Sequence, residues 1–159
     1  MIQGVKIKQL IIRKDKPDLD QKKVKPGHLL EILRSDDKLL TKFGQTIFTV
    51  AYPGTIKAFH WHKKQDDLWF FATGKATIVL YDTRKKSKTF GETQVIECNT
   101  ETDPKLVLIP IGVAHGYKAQ GKKPVMLFYH TTKPYNAKNP DEQRLPYNDP
   151  KIGFNWNKI

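Results

Sequence analysis

Apolar residues in this chain fall in short stretches that turn residues interrupt about every 8–12 positions, and helical i, i+3, i+4, i+7 periodicity is scarce. A chain divided this way cannot build long helices and must bury itself as strands. Strands are predicted over residues 5–13, 28–34, 45–52, 55–62, 68–73, 75–81, 93–98, 105–109 and 125–131, several of them rich in Val, Ile, Thr and aromatics. Pro53-Gly54, Gly74, Gly91, Pro110 to Gly112 and Gly121 punctuate them. One or two helical turns are predicted around residues 35–43, with Ser35 or Asp36 as the N-cap. The pattern implies an all-β sandwich or barrel, of which a jelly roll is one form.

At 159 residues the chain fits a single domain. Its expected organisation is an N-terminal strand and loop (1–26), a core (27–132) and an irregular tail (133–159). Residues 14–26 are too polar for a core strand and read as a surface loop. The tail carries Pro134, Pro140, Pro146 and Pro150, which oppose regular structure, together with Tyr135, Tyr147, Phe154 and Trp156, which should pack on the body. Cys98 is the only cysteine, so neither an intramolecular disulfide nor a cysteine-based zinc cluster can form. No apolar run approaches the roughly 18–20 residues of a membrane span, and residues 1–13 lack a secretory core, so a cytoplasmic location is expected. The net charge is +12, from 28 Lys and Arg against 16 Asp and Glu. Only four of those cations are Arg, the residue suited to bidentate base and phosphate contacts, so a nucleic-acid partner is not expected. The summed field suits an anionic small ligand instead.

Two segments carry chemistry. In the first, His60 and His62 stand two apart on a predicted strand and so point to one face, with Asp67 close behind. In the second, Pro110-Ile111-Gly112-Val113-Ala114-His115 ends in a third imidazole. Three imidazoles and a carboxylate suit a divalent ion such as Zn, Fe(II), Mn or Ni. On residue type alone the histidines could equally be hydrogen-bonded residues lining a barrel. His28 has no spacing partner, and His130 should face away from Tyr129.

The spacing from Gly54 through His60, His62 and Asp67 to Gly74, followed by residues 110–115, resembles the two motifs of the cupin superfamily, with Asp67 where cupins usually carry Glu. More closely, Lys57-Ala58-Phe59-His60, the segments 74–84 and 88–91, Ile109 to Tyr117, and Asp149 to Trp156 are similar to the dTDP-4-dehydrorhamnose 3,5-epimerases, over about residues 27–156. The resemblance implies a cupin double-stranded β-helix (jelly roll) and epimerisation of a nucleotide-linked 4-keto-6-deoxy sugar. It implies His60 as base and Tyr129 as acid, Gln45, Lys57, His115 and Tyr135 as substrate contacts, and no required cofactor. It also implies a homodimer, in which the N-terminal strand is expected to pair with the partner's sheet. Three positions depart from the family pattern. Asp67 replaces a Lys, Val24-Lys25-Pro26-Gly27 replaces an Asp-x-Arg-Gly, and the carboxylate that orients the family's histidine has no counterpart before Ile159. Asp67 could orient the imidazole, or one divalent ion on His60, His62, Asp67 and His115 could replace the acid–base scheme. The alternative readings are therefore a metal-dependent cupin enzyme on another small sugar or acid, and a non-catalytic sugar-nucleotide-binding cupin.

Overall fold

The computed structural model describes residues 1–16 and 27–159. The polar loop expected over 14–26 lies mostly outside the described residues, as do Val24, Lys25 and Pro26. Twelve strands follow in order: β1 (Lys6–Gln9), β2 (Arg13–Lys14), β3 (His28–Leu29), β4 (Gln45–Ala51), β5 (Ile56–His62), β6 (Asp67–Thr73), β7 (Lys75–Asp82), β8 (Thr93–Asn99), β9 (Lys105–Ile109), β10 (Val113–Gln120), β11 (Val125–Thr131) and β12 (Glu142–Arg144). They form two five-stranded sheets, β1-β9-β6-β11-β4 and β12-β5-β10-β7-β8, plus the short β2-β3 ladder. Every pairing is antiparallel, as expected for a jelly roll.

The core lies between the large sheets, where Trp69, Phe71, Ile78, Leu80, Val107, Ile109, Val113 and Leu127 are all buried. The outer face of the first sheet is also apolar at its centre. Leu68, Phe70, Leu106 and Leu108 are covered by Leu10, Leu30, Ile32, Leu33, Leu39 and Leu40. The stretch predicted as strand 28–34 is therefore mostly a cover: its leucines bury themselves on the sheet, and only His28 and Leu29 join a ladder. The helix expected around 35–43 is one 3-10 turn, Ser35–Asp37. Neither Ser35 nor Asp36 caps it; the Asp37 carboxylate accepts from the Arg34 amide at 2.8 Å, and Lys38, at φ 52°, ends it.

Two strands of the second sheet were not foreseen. Pro110 and Gly112 read as a turn, but Val113–Gln120 beyond them pairs with both β5 and β7. The tail contributes β12, paired with β5 through Glu142↔His62, Gln143↔Trp61 and Arg144↔His60, because no proline falls between Pro140 and Pro146. The rest of the tail docks as its aromatics require. Trp156 and Ile152 are buried against Phe59, Val79 and Ala114, and the Trp156 indole donates to Tyr147 O at 2.8 Å. The N-terminal strand, expected to pair with a partner's sheet, lies on β9 of its own chain from Lys6↔Leu108 to Gln9↔Lys105 and forms the edge of the first sheet.

The residues Asp82, Arg84, Ser87 and Thr89 serve structure. The fully buried Asp82 carboxylate accepts from Arg84 Nε at 2.7 Å and from the Ser87 and Thr89 hydroxyls at 2.6 Å each, fixing the loop from β7 to β8. Burial opposes its charge, but these donors outweigh it and hold the carboxyl far below its ordinary value.

β10 approaches β5 so closely at Gly116 that an added Cβ would stand 2.3 Å from Ala58 Cβ and 2.8 Å from Lys57 O, beside a register shift between His115 and Tyr117. Gly116→Ala should therefore lower stability by about 1–3 kcal/mol, read as the urea unfolding midpoint. An unchanged midpoint would mean that the strands separate freely here.

Candidate active site

Strand geometry brings the predicted residues of the two motifs together. His60 and His62 lie on β5 with the same facing, His115 on β10 is the register partner of His60, and Asp67 opens β6 in the opposite sheet. One ligand atom from each of the four lies within 4.8 Å of all the others. The His60 and His115 rings meet edge to face at 4.2 Å, and His62 stands 5.6 Å from His60 and 5.7 Å from His115 between ring centroids.

The hydrogen bonds around the rings fix their tautomers. His115 Nδ1 lies 2.8 Å from Val113 O, and His62 Nδ1 lies 3.3 Å from Asp141 O. A carbonyl oxygen only accepts, so each Nδ1 carries the proton and each Nε2 turns toward Asp67. Those Nε2 atoms stand 3.5 Å (His115) and 3.7 Å (His62) from Asp67 Oδ2, beyond a good hydrogen bond, and His115 Nε2 is buried without a partner. Asp67 itself is 1 % exposed and accepts from Gln65 Nε2 at 2.9 Å and, weakly, from the Trp69 indole at 3.4 Å. Burial opposes its charge, but His115, His62 and Gln65 together hold its carboxyl below the ordinary range. His60 is pulled down to about 2, first by burial and then by neighbouring His115, against the opposing pull of Asp67.

Two cavities meet at His60 and Tyr129. The larger, of about 770 Å³, is bounded by Gln45, His62, Lys63, Lys64, Tyr135 and Asp141 among others; the smaller, of about 540 Å³, by Lys57, Trp69, Tyr117, Arg144 and Leu145 among others. Both include His60, Tyr129 and Glu142 in their walls. The predicted contacts thus divide: Gln45 and the exposed Tyr135 on one side, Lys57 on the other. His115 does not reach either wall; at 1 % exposure it lies behind His60. Tyr129 extends from β11, 6.4 Å from the Trp69 ring, and burial, then Asp67 and Glu142, push its hydroxyl up. His130 on the opposite face sits 2.8 Å from Thr46 Oγ1, and His28 is exposed, so neither belongs to the site. Tyr117, Glu142 and Arg144 are wall residues that the sequence reading did not select. Tyr117 was visible as the end of the His115 motif, whereas Glu142 and Arg144 depend on a strand hidden among prolines.

An antiparallel double-sheet roll with inward histidines is the cupin jelly-roll architecture. The family model described as dTDP-4-dehydrorhamnose 3,5-epimerase matches residues 30–159, and the chain belongs to that family. It is accordingly an isomerase of the carbohydrate-epimerase type. The chain is 52% identical over 157 residues to the spore coat polysaccharide biosynthesis protein SpsL of Bacillus subtilis strain 168, covering 99% of this chain and 97% of that protein. The dTDP sugar isomerase of Desulfovibrio desulfuricans G20 matches at a TM-score of 0.86 and 26% identity, covering 99% of this chain and 94% of the other. The fold is also that of the RmlC epimerase of Legionella pneumophila Philadelphia 1, solved with dTDP-4-keto-L-rhamnose, at a TM-score of 0.80 and 24% identity, over 98% of this chain and 79% of the other.

The electrostatics carry a signed consequence. His60 is neutral in the folded chain well below the value of about 6.5 at which a free imidazole gains its proton. The unfolded chain then binds the extra proton, so this part of the stability is complete above about pH 6.5 and is lost as pH falls toward the folded value. Relative to His60→Gln, the wild type should lose up to about 1.4 kcal/mol of unfolding free energy per pH unit below pH 6.5. Parallel pH profiles in urea titrations would show that His60 takes up its proton within the fold.

Proposed function

We propose that this protein epimerises a dTDP-linked 4-keto-6-deoxy sugar at carbon next to the ketone, in the biosynthesis of a deoxysugar destined for polysaccharide. The carrying observation is that a neutral, partly accessible imidazole and a half-buried phenol share two cavities at one point of the roll. In this reading His60 removes the proton α to the 4-keto group and Tyr129 returns one from the opposite face. An imidazole whose proton affinity burial depresses is free at any ordinary pH. Asp67 and the growing enolate charge stabilise the imidazolium as it forms. Lys57, half-buried in the smaller cavity, offers a cation to the enolate oxygen. Gln45 and Tyr135 contact the substrate from the larger cavity. His115, behind His60, acts as a positioning residue that fixes the imidazole against Asp67. The proton transfers need no cofactor.

One observation favours a second reading of the same site. The unpartnered, buried Nε2 of His115 and the Asp67 carboxylate leave two acceptors facing each other, a donor set that fits a divalent ion. His60, His62, Asp67 and His115 would hold it, and such an ion would supply Lewis-acid polarisation of a carbonyl oxygen.

We read the enzyme as cytoplasmic and homodimeric. The exposed, mutually opposed pairs Phe48–Phe128 and Val50–Met126 on the outer face of β4 and β11 support association with a second copy.

His60→Gln and Tyr129→Phe should each lower turnover on dTDP-4-keto-6-deoxyglucose by about 10²–10⁴-fold while keeping the wild-type melting transition. Product formation followed by NMR checks this, and retention of most activity in either variant removes that residue from the chemistry. About one tightly bound divalent ion per chain in untagged protein, with turnover lost on its removal, would favour the metal reading.

A further inference from the structure

The two cations of the smaller cavity differ in how they are paired. Lys57 Nζ donates to Thr49 Oγ1 at 2.6 Å and Val50 O at 2.9 Å, and among the described residues it has no carboxylate partner. Burial accordingly lowers its proton affinity. Arg144 is the register partner of His60 across the β12–β5 ladder, so both side chains leave the same face of the sheet. Its side chain is 82% exposed and is held by Glu142 Oε1 at 2.6 Å, two residues back along the strand. The Tyr117 hydroxyl, in the wall of the same cavity, is buried without a hydrogen-bond partner. Two cations and an unpaired donor thus line a cavity in whose wall, among the described residues, Glu142 is the one carboxylate.

We propose that Arg144 is a substrate-binding residue which forms an anion subsite for the diphosphate of the nucleotide sugar, and that Glu142 occupies the guanidinium when no anion is bound. The inference rests on the nucleotide-sugar reading for its ligand. A guanidinium presents a planar fork of donors that matches phosphate oxygens, and a solvent-exposed one pairs with a hydrated diphosphate at little desolvation cost. The enolate instead forms deeper, between His60 and Tyr129, beside Lys57. The sugar ring then spans the division between the cavities, with Gln45 on one side and the diphosphate on the other. On binding, Arg144 exchanges one carboxylate for phosphate oxygens, and the freed Glu142 carboxylate turns to solvent.

The two members of the pair should respond with opposite signs. Calorimetric titration of the full chain with dTDP, and separately with inorganic pyrophosphate, is the test. Arg144→Gln should weaken both by about tenfold, as the loss of a charge-assisted hydrogen bond requires. Glu142→Gln should tighten both by about two- to fivefold, because the competing carboxylate is gone. Unchanged affinities in Arg144→Gln, or weakening in both variants, overturn the subsite while dTDP binding by the wild type upholds the nucleotide reading. Pyrophosphate binding that depends on Arg144, with dTDP bound no more tightly, upholds the subsite and overturns the nucleotide reading. A wild type that binds neither probe overturns both.

Discussion

A carboxylate sealed between two sheets must be answered by positive charge, and the arrangement around Asp67 follows from that need. Gln65 and Trp69 donate to it, but a buried anion needs more than two neutral donors. The imidazoles of His62 and His115 turn their Nε2 atoms toward it from 3.7 Å and 3.5 Å. Their Nδ1 protons are committed to backbone carbonyls, so what each turns toward Asp67 is a lone pair until a proton or a metal ion arrives. Burial and the neighbouring His115, whose ring lies 4.2 Å from that of His60, oppose a proton on His60 and so keep the cavity-facing imidazole free. A divalent ion would instead draw all four side chains together. The epimerase and metal readings are thus two answers to one electrostatic demand.

The tail builds another part of the same site. β12 pairs with β5 along the stretch that carries His60 and His62, and so sets Arg144 and Glu142 beside them. Behind it, Trp156 and Ile152 seal the outer face of the sheet over Phe59. The 133–159 segment therefore both covers the hydrophobic exterior of the second sheet and completes the walls of the site. The Asp82 network does comparable work at the other end of β7, where a buried carboxylate holds a loop instead of a substrate.

Much of this was legible in the chain itself. Period-2 spacing alone places His60 and His62 on one face, and the short apolar stretches separated by glycine and proline exclude a helical fold. Reading failed where local signals competed with tertiary ones. Leu30, Ile32 and Leu33 are as apolar as a strand, yet they serve as a lid on the first sheet, because hydrophobicity reports burial and not hydrogen bonding. β10 was hidden by the turn that precedes it, and β12 by the prolines on either side of its three residues. The burial of His115 behind His60 depends on a cross-strand register that no linear spacing encodes. The pairing of Arg144 with His60 is lost from the sequence for the same reason.

Solvent exchange tests the central claim most directly. Incubation with dTDP-4-keto-6-deoxyglucose in D₂O, with and without a chelator, can be followed by mass and proton spectra. Deuterium should enter the sugar at carbon next to the ketone at the same rate in both samples. Incorporation abolished by the chelator would assign the chemistry to a bound ion, and absence of incorporation in both would contradict epimerisation of this substrate.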